Sequence, residues 1–444
     1  MSEGPRSIGM VTARWWPEVG GVETHARQVA KWLVERGVRV EVLCLDGDPE
    51  RAPFEEHELE DEGVHVRRVV YRFQDHETLA DLGKNERLEE IAVRWACDAS
   101  LDLVHVHHLT GWGHGLVPAL AASAPVVLTL HDYWSVCPRG QLWTATGEVC
   151  SGPSVERCAP CLTQTWPHLF EADGGAGAAE QVEALSLVAM EAFASASAIL
   201  APSEPALQTL TEAGVPKESL SVFSLGVDCG GLSEEVERLR AEAPPREGRV
   251  IGVLGAVQPT KGVLELARAV LGCGVADLSL HIHGPLPSFH GDTSYVDEVR
   301  ALADAHAEVE LCGSYDPLEL PAVLASLDTV AAPALWEEGF GLSVREAAAV
   351  GLPVLVSDAG GLPELVERDG AVGVVARRSD STGLVEALRW LDATQSFGVV
   401  ALSERPSLVG IAEMCEELAE VYSEVFTAHD SQASSSAEAE ASQE

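Results

Sequence analysis

Twice along this chain an apolar strand runs into a glycine-bearing loop and then into a helix. The first instance is Ile8-Gly-Met-Val-Thr12, followed by a loop with Gly20-Gly21 and a second strand over residues 38–45. Between loop and second strand, residues 24–36 place Ala26, Val29, Ala30 and Leu33 on one helix face, and Gly37 closes the helix. The second instance is Val250-Ile-Gly-Val-Leu-Gly255, then Ala256-Val-Gln-Pro-Thr-Lys261-Gly262 and a helix to Leu271. A strand over Leu278 to His283 follows and ends at Gly284. Repeated strand–helix–strand units bury their strands only in parallel sheets covered by helices. The expected fold class is therefore α/β: two Rossmann-like, doubly wound domains facing a cleft. The expected limits are 1–228 for the N-terminal domain, 229–249 for a linker and 250–405 for the C-terminal domain. A final helix over 406–427, able to pack back on the N-terminal domain, precedes a disordered acidic tail over 428–444.

In such sheets, ligands bind beyond the carboxyl ends of the strands. The strands Leu101–His108 and Val126–His131 both end in histidine, which places His105, His107, His108 and His131 where chemistry occurs. A hydrogen-bonded core role for one of the first pair is the plainer reading, and a three-His metal site the minor one. In the second half, Ala334-Leu-Trp-Glu-Glu-Gly-Phe-Gly-Leu-Ser-Val-Arg-Glu346 carries two carboxylates around a Gly-Phe-Gly turn that opens a helix. Free N–H groups and the positive end of a helix dipole suit a diphosphate, and Glu346 suits a ribose diol. Ser343 and Glu346 also fit a capping box, which gives Glu346 a purely structural alternative. Lys261, directly before a glycine and a helix, is a candidate diphosphate cation; the chain has only three other lysines, Lys31, Lys84 and Lys217.

Cys137, Cys150, Cys158 and Cys161 end in a C-x2-C pair inside one loop and predict a structural zinc site; two disulfides or a redox pair are the rival readings. The other cysteines (Cys44, Cys97, Cys229, Cys273, Cys312 and Cys415) read as small buried hydrophobes. The net charge of −41 disfavours nucleic acid and anionic lipid as partners, so any membrane contact is at most peripheral. With no secretory leader pattern and no run of eighteen apolar residues, the expectation is a cytoplasmic enzyme, at most at the inner face of the membrane. So acidic a surface repels itself, and salt screens that repulsion. Stability should therefore rise from low to molar KCl, as a urea or thermal melt would read; equal stability in both would contradict an adaptation to high salt.

These residues carry a resemblance. The chain resembles the family 4 retaining glycosyltransferases, which use nucleotide sugars and have the fold called GT-B. The carriers are Pro17-Glu-Val-Gly-Gly-Val-Glu-Thr-His25, Asp102-Leu-Val-His-Val-His107, Thr129-Leu-His-Asp132, Pro202-Ser203, Gly226-Val-Asp228, Lys261-Gly262, the E-x7-E of Glu338 to Glu346, and Gly360-Gly-Leu-Pro-Glu364. His131-Asp-Tyr-Trp-Ser-Val-Cys137 with its four cysteines resembles a bacterial subset acting in cell-surface polysaccharide assembly. The resemblance implies a sugar moved from a UDP-, GDP- or ADP-sugar to a glycan or lipid-linked acceptor, with no metal needed for catalysis. It implies Glu338 and His131 at the reaction, with Phe340 beside Glu338 on the donor sugar and Glu346 on the ribose. The diphosphate would take the N–H groups of Gly341 and Leu342, the Lys261 cation and the Gly20-Gly21 loop; Gly284 is a binding candidate from its place at a strand end. One departure is Ala256, where the family carries an arginine. It supports the alternative of a non-catalytic homologue. A sugar-nucleotide epimerase or hydrolase is the other alternative, against which the E-x7-E loop and His131-Asp132 speak.

Overall fold

The computed structural model describes residues 4–17, 20–173, 177–378 and 381–441. Glu18 and Val19 of the first motif and the last three tail residues lie outside them. The chain divides into two compact units.

Unit 1 is built on β1 (Ser7–Thr12), α1 (Gly21–Glu35), β2 (Arg39–Asp46), β3 (Glu56–Asp61), β4 (Val64–Val70), α2 (Leu79–Gly83), α3 (Glu86–Asp98), β5 (Leu103–Val106), α4 (Leu116–Ala121) and β6 (Val126–Thr129). It continues through α5 (Val155–Thr165), α6 (Ala178–Ser195), β7 (Ala198–Ala201), α7 (Glu204–Glu212) and β8 (Leu220–Val222). Its sheet runs β3-β4-β2-β1-β5-β6-β7-β8. Every pairing is parallel except β3 with β4. The β1 pattern is fully buried, as helices on both faces require. The face of α1 that packs down includes Ala26, Val29, Ala30 and Leu33, and burying a leucine of this kind contributes about 1.5–3 kcal/mol. β3 is the strand that hydrophobic patterning misses. Its sequence Glu-His-Glu-Leu-Glu-Asp is held at the sheet edge by backbone pairing and by ion pairs such as Arg67 to Glu58.

Unit 2 comprises α8 (Gly231–Glu242), β9 (Arg249–Leu254), α9 (Val263–Gly272), β10 (Leu278–His283), α10 (Ser294–Ala305), β11 (Val309–Gly313), α11 (Leu320–Ala325) and β12 (Thr329–Ala332). It ends with α12 (Leu342–Ala349), β13 (Val354–Ser357), α13 (Leu362–Glu367), β14 (Gly373–Ala376) and α14 (Ser381–Ala393). Its all-parallel sheet has the order β11-β10-β9-β12-β13-β14. Leu264, Ala267 and Val270 of α9 pack with Leu280 and Ile282 of β10 and Leu388 of α14 in its core.

Two expected boundaries change. The stretch 229–249 is not a bare linker: α8 buries Leu232 and Val236, and Arg240 hydrogen bonds to the Leu324 carbonyl at 3.3 Å. The stretch expected to be disordered from 428 is helical as far as Ala441, because α15 (Ile411–Ala441) runs on into it. Alanine and glutamate are among the best helix formers, so a sequence without large apolar residues can still extend a helix already started. α15 belongs to unit 1, where the Tyr422 hydroxyl lies 2.6 Å from His105 Nδ1.

Candidate active site

In unit 2 the order of strands reverses at β9, which has β10 on one side and β12 on the other. Loops leaving the carboxyl ends of β9 and β12 flank such a switch point. They are tied together here: the Leu335 N–H donates to the Thr260 carbonyl at 2.8 Å. Gly262 adopts φ +67°, and a Cβ there would lie 2.0 Å from the Pro333 carbonyl oxygen. Only glycine serves both the left-handed turn and the close approach. The preceding residue, Lys261, is thereby aimed at the β12 loop. Its Nζ donates to Glu338 Oε2 at 2.6 Å and lies 5.2 Å from the Trp336 ring centroid. Trp336 Nε1 donates to the same carboxylate oxygen at 3.2 Å. The backbone of Glu338 is held from below, where its carbonyl accepts the Gly361 N–H at 2.8 Å.

Helix α12 starts at Leu342, with Gly341 at its N-cap in the left-handed conformation (φ +76°) and no side-chain cap. A Cβ on Gly341 would stand 2.4 Å from Leu362 Cδ2. The capping-box alternative for Ser343 and Glu346 therefore fails, since both residues sit within the helix. The first-turn N–H groups of α12 point away from the helix body with no cap of their own, as an anion site requires. Burial pushes the Glu346 carboxyl up to about 7, and Asp228 adds to the effect. Asp228 is oriented by the N–H groups of Gly230 and Gly231, at 3.1 and 2.9 Å. Burial also raises the Tyr315 hydroxyl to about 12, with Glu346 as its charged neighbour. Phe340 departs from its expected place. It is buried with the Arg345 guanidinium 4.1 Å from its ring centroid, so its ring supports the turn from the core side. Gly284 closes the other side of β9, where a Cβ would lie 1.9 Å from the Gly255 carbonyl oxygen. Two arginines near this loop are engaged with acidic partners. Arg378 pairs with Glu337, and Arg345 with Asp369.

In unit 1 the strand order reverses at β1, between β2 and β5. Gly20 and Gly21 are exposed at the start of α1, and Glu23 accepts the Gly20 N–H at 2.8 Å. His131, at the end of β6, lies in a group that also holds His25 and His107, with one ring nitrogen of each within 4.8 Å of the others. Burial holds His131 well below the usual imidazole range, and His25 down at about 4, so these rings are neutral. Both nitrogens of His25 are buried without a hydrogen-bond partner. His25 gains a place that the sequence reading does not give it, since it was visible only as the last residue of the Gly-Gly motif. His105 is the structural histidine, satisfied by Tyr422 and by Thr129 at 2.7 Å. His108 contacts Asp132 at 3.3 Å. Burial opposes its protonation, but Asp132 and Glu23 together outweigh burial and raise its pKa.

The four loop thiols sense one another. Burial pushes Cys137 up to about 11, with Cys158 and Cys150 close enough to add to the effect, and Cys158 in turn faces Cys150 and Cys161. Cys158 and Cys161 lie one turn apart on α5, and Cys161 Sγ accepts the Ala145 N–H at 3.3 Å. Among the described residues, the groups of three or more donor atoms within 4.8 Å are two, and neither contains these thiols. Zinc bound at about 2.3 Å from each sulfur would draw the loop tighter.

Comparison with known proteins decides the reaction class. Residues 19–230 match the family described as Glycosyltransferase Family 4, and residues 248–393 match the one described as Glycosyl transferases group 1. The chain is a GT-B glycosyltransferase. It is 25% identical over 359 residues to a phosphatidyl-myo-inositol mannosyltransferase of Mycolicibacterium smegmatis, covering 78% of this chain and 75% of that protein. It is 27% identical over 378 residues to a D-inositol 3-phosphate glycosyltransferase of Stackebrandtia nassauensis, covering 79% and 76%. In fold the glycosyltransferase is similar to Anabaena HepE in complex with UDP and glucose, at a TM-score of 0.63 and 19% identity over 94% of this chain and 99% of that one. Sucrose-phosphate synthase from Thermosynechococcus elongatus gives a TM-score of 0.68 at 16% identity, over 95% and 100%. No helix among the described residues is long and apolar enough to cross a membrane.

Proposed function

We propose that this glycosyltransferase moves a sugar, with retention, from a nucleotide-diphosphate sugar to a hydroxyl of a glycan or lipid-linked acceptor in cell-surface polysaccharide synthesis. The observation that carries the reading is the Lys261–Glu338 pair beside the uncapped start of α12. Unit 2 takes the donor: Glu346 accepts from the ribose diol, and the N–H groups after Gly341 and the Lys261 ammonium hold the diphosphate. The bond from the anomeric carbon to the diphosphate oxygen breaks, and charge grows on the leaving oxygen. Preorganised donors lower the barrier most when they face such developing charge. The acceptor oxygen bonds to the anomeric carbon on the same face, and its proton passes to the diphosphate oxygen. Glu338 turns the Lys261 ammonium and receives a sugar hydroxyl. From unit 1, neutral His131 serves the acceptor hydroxyl, and the Gly20-Gly21 loop supplies further N–H groups to phosphate. The names of both relatives described above contain an inositol compound, so inositol phosphate and phosphatidylinositol belong among the acceptors tried.

The test is release of nucleoside diphosphate from a panel of UDP-, GDP- and ADP-sugars with candidate acceptors. One donor should turn over in an acceptor-dependent way and give a product of unchanged anomeric configuration. Hydrolysis alone, or an inverted product, would overturn the reading. His131→Ala should lower kcat by roughly 10² with donor affinity unchanged, as loss of a group that positions the acceptor hydroxyl does. An unaltered kcat would remove His131 from the reaction.

Structural zinc at Cys137, Cys150, Cys158 and Cys161 is part of the same proposal, supported by the four thiols' mutual electrostatic contact. Elemental analysis should find one equivalent more zinc in the purified chain than in a C158A/C161A variant. Equal zinc in both would defeat it.

A further inference from the structure

Cys312 is exposed, although its apolar strand predicts burial, and its neighbours explain what it faces. β10 and β11 pair in parallel with His281 opposite Glu310, and a register shift follows before His283 meets Gly313. Leu280 and Ile282 of β10 are fully buried in the helix-covered core. Alternation therefore turns His281 and His283 to the opposite face of the sheet. Cys312, two residues beyond Glu310, rises on that same face of the edge strand. One donor atom from each of His281, His283 and Cys312 lies within 4.8 Å of the other two. His283 Nε2 is buried and finds no hydrogen-bond partner. Cys312 Sγ reaches the Glu310 carbonyl only at 4.0 Å, and Glu310 Oε2 stands 3.5 Å from His281 Nε2.

A cross-strand ion pair accounts for His281 and Glu310 but leaves His283 and Cys312 unexplained. We propose that His281, His283 and Cys312 form a divalent-metal site, with zinc the fitting ion and Glu310 completing the set. Mixed imidazole and thiolate donors with one carboxylate suit a small, four-coordinate borderline cation. Both imidazoles bind neutral, and the thiol proton of Cys312 is released to water as the Cys312–metal bond forms. The ion would pin edge strand β11 to β10. Tyr315, whose ring lies 6.4 Å from that of His283, lies two residues beyond β11 and has Glu346 as its charged neighbour. The site is distinct from the four loop cysteines and from the His25–His107–His131 group, all of which belong to unit 1.

Two measurements on the full chain test it. Zinc titrated against a chromophoric chelator should show the wild type taking up one equivalent more than an H281A/C312A double variant whose circular dichroism matches the wild type. In the unmutated chain, saturating Zn²⁺ should slow alkylation of Cys312, followed by mass spectrometry, by tenfold or more, while exposed Cys97 reacts at its metal-free rate. Equal zinc uptake by a folded double variant, or a Cys312 alkylation rate indifferent to Zn²⁺, would overturn the site.

Discussion

Replacing Glu338 with glutamine is expected to abolish turnover while nucleotide binding survives. The amide keeps the size of the side chain, and its oxygen can still accept the Trp336 N–H that the carboxylate now accepts at 3.2 Å. What is lost is the negative partner that holds Lys261 Nζ at 2.6 Å. Lys261 then no longer points its charge where the leaving diphosphate needs it. Removing one preorganised electrostatic contact of this kind typically costs about 10²–10³ in kcat. Nucleotide affinity, read by calorimetry, should fall far less than on loss of Lys261 itself, because the Lys261 charge stays in the site and Glu346 and the start of α12 are untouched. Retained turnover in E338Q would take Glu338 out of the mechanism.

Glu346 should behave in the opposite way. Hydrogen bonds to a charged group are worth about 1.5–3 kcal/mol, so Glu346→Ala should weaken nucleotide binding by roughly ten- to a hundredfold. The pH dependence follows from the same side chain. Its carboxyl titrates near 7 because burial disfavours the charged form, with Asp228 adding to that effect. The ionised form accepts from both ribose hydroxyls, whereas the protonated form keeps less acceptor capacity. Affinity should therefore fall as pH drops through about 7. Glu346→Gln should flatten that part of the profile, and the difference between the two profiles removes the titration of the phosphates themselves. An identical pH profile in E346Q would leave Glu346 a structural role only.

The architecture was legible in the sequence because both sheets, β3 apart, are parallel and covered: most of their strands are short apolar runs that lead through a loop into a helix. β3 was illegible because edge pairing and charge, not burial, hold it. α15 beyond 427 was illegible because a helix extends on propensity alone once its first turns are docked. At the site, Lys261 and Glu338 were visible as residue types at strand ends. Their pairing was not, since it depends on the Thr260–Leu335 hydrogen bond and the close approach at Gly262 across about 75 residues of chain. Phe340 misled because a glycine-flanked aromatic reads the same whether it faces a ligand or, as here, the Arg345 guanidinium. Cys312 misled for a related reason: an edge strand exposes a face that its hydrophobicity does not announce.

The account's central claim is that unit 2 holds the diphosphate of a nucleotide sugar through Lys261. Calorimetric titration of the wild type and of Lys261→Ala with UDP-, GDP- and ADP-sugars tests it most directly. The expected result is saturable binding of one of these donors to the wild type, weakened at least tenfold in the variant and falling off with added salt in the wild type alone. Failure of all three donors to bind, or equal affinity in the two proteins, would contradict it.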